Sequence, residues 1–187
     1  MQITKENKSN DLSDGYGVFT DKFGNIYEGK LQNHKKHGQG KMTYKNGDIY
    51  EGSWRDGQKN GFGKKTWAIG DTYEGEWKNS KQDGHGKKTW AWEEFCMYEG
   101  TWREDIPNGF GKMLLKDGES YEGEWLNGKP QGKGIYKNKD GESYKVNLEK
   151  NKPQVMVKKS YADGTVDKRL WMDECYLYIQ DKYKIVL

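Results

Sequence analysis

Two stretches of the sequence resemble phosphate-binding loops at first sight. Residues 61–66 read Gly-Phe-Gly-Lys-Lys-Thr, and residues 84–89 read Gly-His-Gly-Lys-Lys-Thr. A P-loop needs a glycine, four further residues and then Gly-Lys followed by Ser or Thr, because its amides and lysine surround the phosphates and its hydroxyl binds magnesium. Gln58 stands where the first glycine should be, and Lys65 stands where the hydroxyl should be. The mismatch recurs in the second stretch, so we predict no nucleotide site.

Other candidate catalytic groups fail for similar reasons. Tyr-Glu-Gly recurs along the chain with its glutamate at Glu28, Glu51, Glu74, Glu99 and Glu122. A catalytic pair needs carboxyls in two different environments that separate their pKa values. Equivalent repeat positions give equivalent environments, so we predict a solvated face whose glutamates pair with lysines of neighbouring strands. The histidines and Cys96 have no partners at ligand or nucleophile spacing. We therefore predict a non-enzymatic chain with no catalytic residue, cofactor or metal.

The composition predicts a folded chain without a thick aliphatic core. The 187 residues are 32% hydrophobic and include 25 glycines, 8 tryptophans and 13 tyrosines, and the mean hydropathy is -1.21. Disordered chains are poor in aromatic residues and usually carry a high net charge, whereas this chain carries +3. That near balance also disfavours a nucleic-acid partner. The polar start shows no signal-peptide or transit-peptide pattern, so we expect an intracellular protein.

The glycines and aromatic residues follow one repeat. Tyr-Glu-Gly begins at residues 27, 50, 73, 98 and 121, so its spacing is 23, 23, 25 and 23. The residue four positions after each of these tyrosines is Leu31 in the first copy and a tryptophan in every later copy. A Gly-x-Gly pair and a turn glycine recur in the same phase. Because repeats are the strongest organising signal in a sequence, they decide the fold prediction.

Each repeat is predicted to be a β-hairpin. In Tyr-Glu-Gly-x-Trp the alternation places Tyr50, Gly52 and Trp54 on one face of a strand and Glu51 on the other. Asp-Gly and Asn-Gly pairs between the strands are strong hairpin signals. Glycine weakens strands, so its regular use indicates that aromatic rings lie across the bare backbone. We predict an all-β fold, an elongated single-layer twisted antiparallel sheet of stacked hairpins.

At these residues the chain resembles the MORN (membrane occupation and recognition nexus) repeat family. Residues 50–72, YEGSWRDGQKNGFGKKTWAIGDT, match the family unit YEGxWxxGxxxGxGxxxxxxGxx throughout. The resemblance implies an elongated antiparallel sheet of stacked hairpins with a grooved face. It also implies scaffolding in cytoskeletal, ciliary and membrane-junction assemblies, or attachment to catalytic domains such as lipid kinases and SET methyltransferases.

The repeat pattern predicts four segments. Residues 1–14 form a polar N-terminal arm and residues 15–149 form the MORN array. Residues 150–171 form a degenerate terminal repeat in which Val155 and Val157 replace the Gly-x-Gly pair. Residues 172–187 form a tail, helix or strand, that either caps the array or binds a partner. Terminal repeats are expected to be atypical because one side faces solvent.

The aromatic rows have two interpretations. Most rings of the Tyr-Glu-Gly pattern are expected to be the core, because the chain offers no other. A one-layer sheet also leaves room for an aromatic groove that binds a partner. The candidate groove residues are Trp54, Trp67, Trp77, Trp90, Trp92, Trp102 and Trp125. Trp67, Trp90 and Trp92 stand outside the main pattern and are the better contact candidates.

We expect a scaffold that holds a helix or an extended segment of another protein in this groove, within an axonemal or cytoskeletal assembly in the cytoplasm or cilium. Outside that assembly we expect a monomer. One alternative is a module that binds anionic lipid through lysine-rich strands, such as Lys64 and Lys65. A second alternative is a regulatory subunit of an enzyme encoded elsewhere.

Overall fold

A computed structural model describes residues 14–91 and 95–148, together with the backbone of two strands at 155–160 and 166–171. The predicted C-terminal tail, nearly all of the predicted N-terminal arm and the side chains of the degenerate repeat lie outside the described residues. The chain divides into two compact units, residues 1–91 and 92–187.

Both units are built from antiparallel strands, and the described residues contain no helix. Correspondingly, no described helix could cross a membrane. In each unit every strand pairs with the strands before and after it in sequence. The first unit contains β1 (Gly15–Thr20), β2 (Ile26–Gln32), β3 (Lys35–Thr43), β4 (Ile49–Arg55), β5 (Gln58–Thr66), β6 (Thr72–Lys78) and β7 (Lys81–Thr89). The second contains β8 (Phe95–Arg103), β9 (Ile106–Leu115), β10 (Ser120–Leu126), β11 (Lys129–Lys137), β12 (Ser143–Leu148), β13 (Val155–Ser160) and β14 (Val166–Trp171). The predicted all-β fold of stacked hairpins is confirmed.

The strands separate the residues into two faces as the alternation predicts. In β4, Tyr50, Gly52 and Trp54 are buried, whereas Glu51 and Arg55 are exposed. We call the side that carries the buried rings the aromatic face and the opposite side the polar face. The core of each unit lies on its aromatic face.

Each tyrosine ring lies over glycines of two paired strands. Gly52 of β4 stands opposite Gly63 of β5, and a Cβ atom at Gly63 would collide with the hydroxyl of Tyr50. The register of the pair shifts between Gly52 and Trp54. At that interruption the Tyr50 hydroxyl donates a 3.0 Å hydrogen bond to the carbonyl oxygen of Ser53. The glycine pair therefore provides the space that lets a buried phenol reach a backbone acceptor.

Tryptophans join consecutive hairpins. The Trp54 ring meets Tyr50 of its own repeat edge-on at 5.0 Å and Tyr27 of the preceding repeat at 5.5 Å. Trp77 contacts Tyr50 in the same way at 5.3 Å. Such aromatic pairs contribute about 0.5–1.5 kcal/mol beyond the area that they bury. A continuous row of rings thus replaces the aliphatic core that the composition excludes.

Two kinds of turn connect the strands. The tight turn at Asp56 and Gly57 has positive φ at both residues, +51° and +84°, as a two-residue type I′ hairpin requires. The Gly57 amide also donates to the Lys36 carbonyl of the preceding hairpin. The longer turn closes with the Gly47 amide donating to the Tyr44 carbonyl. Both turn types fall where the sequence places its turn glycines.

The polar face carries cross-strand rows of opposite charge. Lys64 stands opposite Glu51 on one side and Glu74 on the other, and its ammonium lies 3.6 Å from the Glu74 carboxylate. Lys112 and Glu122 form the corresponding pair in the second unit at 3.5 Å. These side chains are about half exposed, so each pair is worth less than about 1 kcal/mol. The predicted solvated face is confirmed, and the predicted pairing of its glutamates with lysines is found at Glu74 and Glu122.

Candidate functional site

The predicted groove tryptophans have different surroundings. Those that follow Tyr-Glu-Gly lie in the core, with exposed fractions between 2% and 4%: Trp54, Trp77, Trp102 and Trp125. Trp67 is half-buried, Trp90 is buried, and Trp92 lies outside the described residues. The core interpretation of the repeat aromatics is thereby confirmed. Contact between these seven residues and a partner remains a prediction.

Trp67 belongs to a row in which aromatic rings alternate with lysines. The Lys65 ammonium lies 6.0 Å from the ring centre of Tyr44 and 4.5 Å from that of Trp67. The Lys88 ammonium lies 5.4 Å from Trp67 and 5.0 Å from Trp90. These distances are those of cation–π contacts. We call this row the turn ledge, defined as Tyr44, Lys65, Trp67, Lys88 and Trp90.

The hairpin repeat determines the spacing of the turn ledge. Tyr44 and Trp67 each begin a longer turn, and their amides donate to the carbonyls of Asp48 and Asp71 respectively. Successive longer turns are two strands apart, which is about 9.5 Å. The ledge therefore carries its rings at a constant interval along the first unit, and of these Tyr44 and Trp67 are half-buried whereas Trp90 is buried.

An ion pair fixes the first lysine of the ledge. The Lys65 ammonium lies 3.1 Å from the Asp48 carboxylate, and both side chains are less than a fifth exposed. The other Asp48 oxygen accepts the Ala68 amide at 3.0 Å. Burial alone would raise the pKa of Asp48, but the hydrogen bonds from Ala68 and Lys65 outweigh it and lower the pKa. Lys65 is thus held between two rings.

Two more lysines cover the core tryptophans of the first unit. The Lys36 ammonium lies 4.6 Å from the ring centre of Trp54, and that of Lys59 lies 4.1 Å from Trp77. Burial lowers the pKa of Lys36, and the nearby Asp21 charge only partly opposes this. In the second unit, fully buried Pro107 occupies the equivalent repeat position. The aromatic face of the first unit is therefore lined with cations.

An open cavity of about 470 Å³ lies beside the first ring of the ledge. It is lined by Phe23, Asn25, Tyr44, Lys45 and Asn46. Phe23 projects from the turn before β2 and is 65% exposed. Within the described ranges, no three His, Cys, Asp or Glu side chains lie close enough together to hold a metal ion. The side chains of the cavity suit recognition of an apolar group flanked by charge.

Sequence reasoning did not find the lysine stacking or the cavity. The sequence does contain a signal, since Lys65 and Lys88 each stand two residues before a tryptophan. In a strand that spacing places both side chains on the same face. The sequence pattern alone predicts only a lysine-rich strand, because the second ring that each lysine meets comes from the turn of the preceding repeat.

In-phase hairpins with a row of tyrosine and tryptophan rings over paired glycines define a β-hairpin repeat protein. The family model of the MORN repeat matches residues 7–22, 27–49, 50–72, 73–93, 98–120 and 121–143. The chain belongs to the MORN repeat family, as the sequence predicts. No curated protein matches the chain.

Solved structures provide more distant likenesses. The TCP domain of SAS-4 from Drosophila melanogaster, in complex with a proline-rich motif of Ana2, is 16% identical; the alignment covers 71% of this chain and 73% of that one, with a TM-score of 0.48. Virginiamycin B lyase from Staphylococcus aureus is 13% identical, with coverages of 88% and 58% and a TM-score of 0.19. At these values the likenesses say nothing about what this chain binds.

Proposed function

We propose that the chain is a non-enzymatic scaffold that holds other proteins in a larger assembly of axonemal or cytoskeletal type. The observation that carries the proposal is the turn ledge. Trp67 is half-buried there between Lys65 and Lys88, although the repeat tryptophans are covered. Partly exposed aromatic side chains, held rigidly and surrounded by cations, are typical anchors of protein interfaces.

The geometry of the ledge favours an elongated partner segment. Its rings recur at about 9.5 Å because each lies on a new hairpin. A partner helix or extended segment that runs across the hairpins would meet the half-buried rings of Tyr44 and Trp67 one after the other. Rigid presentation lowers the entropy lost on binding, and Asp48 holds Lys65 in place at 3.1 Å. This surface is thus preorganised for a segment rather than for a small molecule.

Site-specific photo-crosslinking tests the proposal with matched positions. Ile69 lies in the turn that follows Trp67 and is 61% exposed, and Phe62 is 60% exposed. Phe62 stands opposite Glu76 on the polar face. A photoreactive residue at position 69 of the full chain should capture a discrete protein in cells of the native source, and one at position 62 should not. Capture from position 62 alone, or protein adducts from neither position, would contradict the proposal.

The lysines of the aromatic face support a second candidate, a module that binds anionic membranes. Lys36, Lys59, Lys65 and Lys88 all lie on that face against rings. Each lysine near an anionic surface contributes about 1 kcal/mol at physiological salt. Flotation with phosphatidylserine vesicles at low and high salt separates the candidates. Salt-sensitive flotation supports the membrane module, whereas the scaffold predicts none.

A further inference from the structure

The gap between the first and second longer turns is open, whereas the gap between the second and third is closed. Lys65 lies between the rings of Tyr44 and Trp67 and so fills the gap between their turns. One repeat earlier, the position of Lys65 is occupied by Met42, which is only 4% exposed. Met42 has no ammonium group that could lie between the two turns as that of Lys65 does.

The acidic partner changes together with the lysine. Asp48 binds Lys65, and the same repeat position one copy earlier is Asn25. The Asn25 side-chain oxygen accepts the Lys45 amide at 3.0 Å, as the Asp48 oxygen accepts Ala68. The hydrogen bond from the turn amide to the side-chain oxygen is therefore retained, whereas neutral residues replace both members of the ion pair. The result is the cavity of about 470 Å³ between the first two longer turns, which we call the first-gap cavity.

The first-gap cavity combines ring walls with two nearby lysines and one carboxylate, that of Asp21, which accepts a 2.8 Å hydrogen bond from the Asn25 side chain. Phe23 and Tyr44 supply aromatic surface, and Lys45 lines the cavity beside them. The Lys22 ammonium lies 5.0 Å from the centre of the Phe23 ring. Within the described part of the chain, neither Lys22 nor Lys45 forms an ion pair with a carboxylate. A ligand that fits must offer a compact apolar group with negative charge close to it.

We infer that the first-gap cavity binds a proline of an acidic, proline-rich segment in the polyproline II conformation. This inference rests on the proposed scaffold function and names the kind of partner that its ledge accepts. A proline ring is compact and apolar, and aromatic-lined grooves are the usual receptors of polyproline II segments. The segment has little conformational entropy to lose. Carboxylates beside the prolines complement Lys22 and Lys45.

The repeat interval supports the same occupant. Polyproline II rises 3.1 Å per residue with three residues per turn, or about 9.3 Å per turn. Successive longer turns of the protein are about 9.5 Å apart. A proline in the first-gap cavity would therefore place residue i+3 of the segment over the next gap, where Lys65 lies between the rings of Tyr44 and Trp67. A fully extended strand, at about 3.3 Å per residue with alternating side chains, does not keep this phase.

The test is a titration of the ¹⁵N-labelled full chain with a peptide of four Pro-Pro-Glu triplets. The expected result is saturable amide shifts at Lys45, Asn46 and their neighbours. Two control peptides carry glycine for every proline or lysine for every glutamate. Each should bind at least about tenfold more weakly, since one lacks the preformed helix and the other reverses the charge. Equal binding of either control would overturn the inference.

A double variant tests the site without altering the core. Phe23→Ala with Lys45→Glu removes one ring wall and reverses the charge of a lining lysine, and both side chains are exposed, so the fold should be kept. It should weaken the peptide at least about tenfold, and Phe62→Ala on the polar face should leave affinity unchanged. Unchanged affinity in the double variant, or shifts confined to the polar face, would overturn the inference. If the peptide fails while position 69 still captures a partner, the inference fails and the scaffold stands. The inference would also be overturned if phosphatidylserine vesicles displaced the peptide and bound the cavity in preference to it.

Discussion

The indole nitrogen of Trp54 donates a 3.0 Å hydrogen bond to the carbonyl oxygen of Gly40 on the neighbouring strand. The same bond recurs from Trp77 to Gly63 and from Trp125 to Gly111. In each case the tryptophan packs edge-on against the tyrosine ring that lies over that glycine and also satisfies a backbone acceptor. The tryptophan is thus both a packing group and part of the hydrogen-bond network.

Replacing Trp54 with phenylalanine should lower the free energy of unfolding by about 2–4 kcal/mol. The change leaves the Gly40 carbonyl without its buried donor, which costs about 1–3 kcal/mol, and it removes ring volume beside Tyr27 and Tyr50. Urea denaturation measures the loss. Trp67→Phe is the control, because this ring is half-buried and should cost less than about 1 kcal/mol. Equal losses in the two variants would refute the role of the bond.

Gly63→Ala should be among the most destabilising single changes, at about 3 kcal/mol or more. An alanine methyl would collide with the Tyr50 hydroxyl and ring, so the phenol would have to leave its acceptor. Gly57→Asn is the control. Gly57 has φ of +84° but nothing within 4 Å of an added Cβ, and asparagine tolerates this conformation. Thermal denaturation should show a large fall in Tm for the first variant only.

Alkaline pH should unfold the protein through its tyrosines. Burial raises the pKa of Tyr27 to about 12 and raises those of Tyr50, Tyr98 and Tyr121 above the usual range. The unfolded chain loses these protons near pH 10, so their contribution to stability is complete below pH 10 and falls as pH rises above it. Absorbance at 295 nm should show tyrosinate forming together with the loss of near-ultraviolet circular dichroism. Tyrosinate signal from these residues in a chain that stays folded at pH 11 would contradict the prediction.

Asp48→Asn should lower the free energy of unfolding by about 1–2 kcal/mol at neutral pH. The amide can still accept the Ala68 N–H, as Asn25 accepts Lys45, but Lys65 loses its charged partner. The pKa of Asp48 is lowered in the folded chain, so its contribution is present above the unfolded value near 3.9 and declines as pH falls through the folded value. Urea midpoints of the two proteins should therefore differ at pH 7 and converge in strong acid. A difference that persists there would assign the effect to packing.

Much of the fold follows from the repeat itself. The alternation of Tyr50, Gly52 and Trp54 places them on one face because a strand has a period of two. Position 63 must be glycine because a tyrosine ring lies over it, and the regular spacing of glycines and aromatic residues already indicates this packing. The turn glycines were likewise predictable because their local conformation needs no tertiary contact.

The surface was less predictable because it depends on which neighbour each charged side chain meets. Lys64 and Lys65 are adjacent, and the sequence predicts only that both belong to a lysine-rich strand. They point to opposite faces: Lys64 pairs with Glu74 in solvent, whereas Lys65 is held by Asp48 between rings. Likewise the sequence cannot show that Trp90 is buried while Trp67 is only half-buried, because the difference arises from side-chain packing across hairpins.

The exchange of Asn25 and Met42 for Asp48 and Lys65 has a wider consequence. Two positions distinguish the open gap from the closed one, and they lie at the edge of the tyrosine–tryptophan row: Met42 is buried beside it, and Asn25 lies in a turn. Binding valency is therefore set copy by copy. If a second gap were opened one repeat away, two prolines of the same segment could bind at once. The affinity would then rise by a factor that depends on the effective concentration of the second proline at its site.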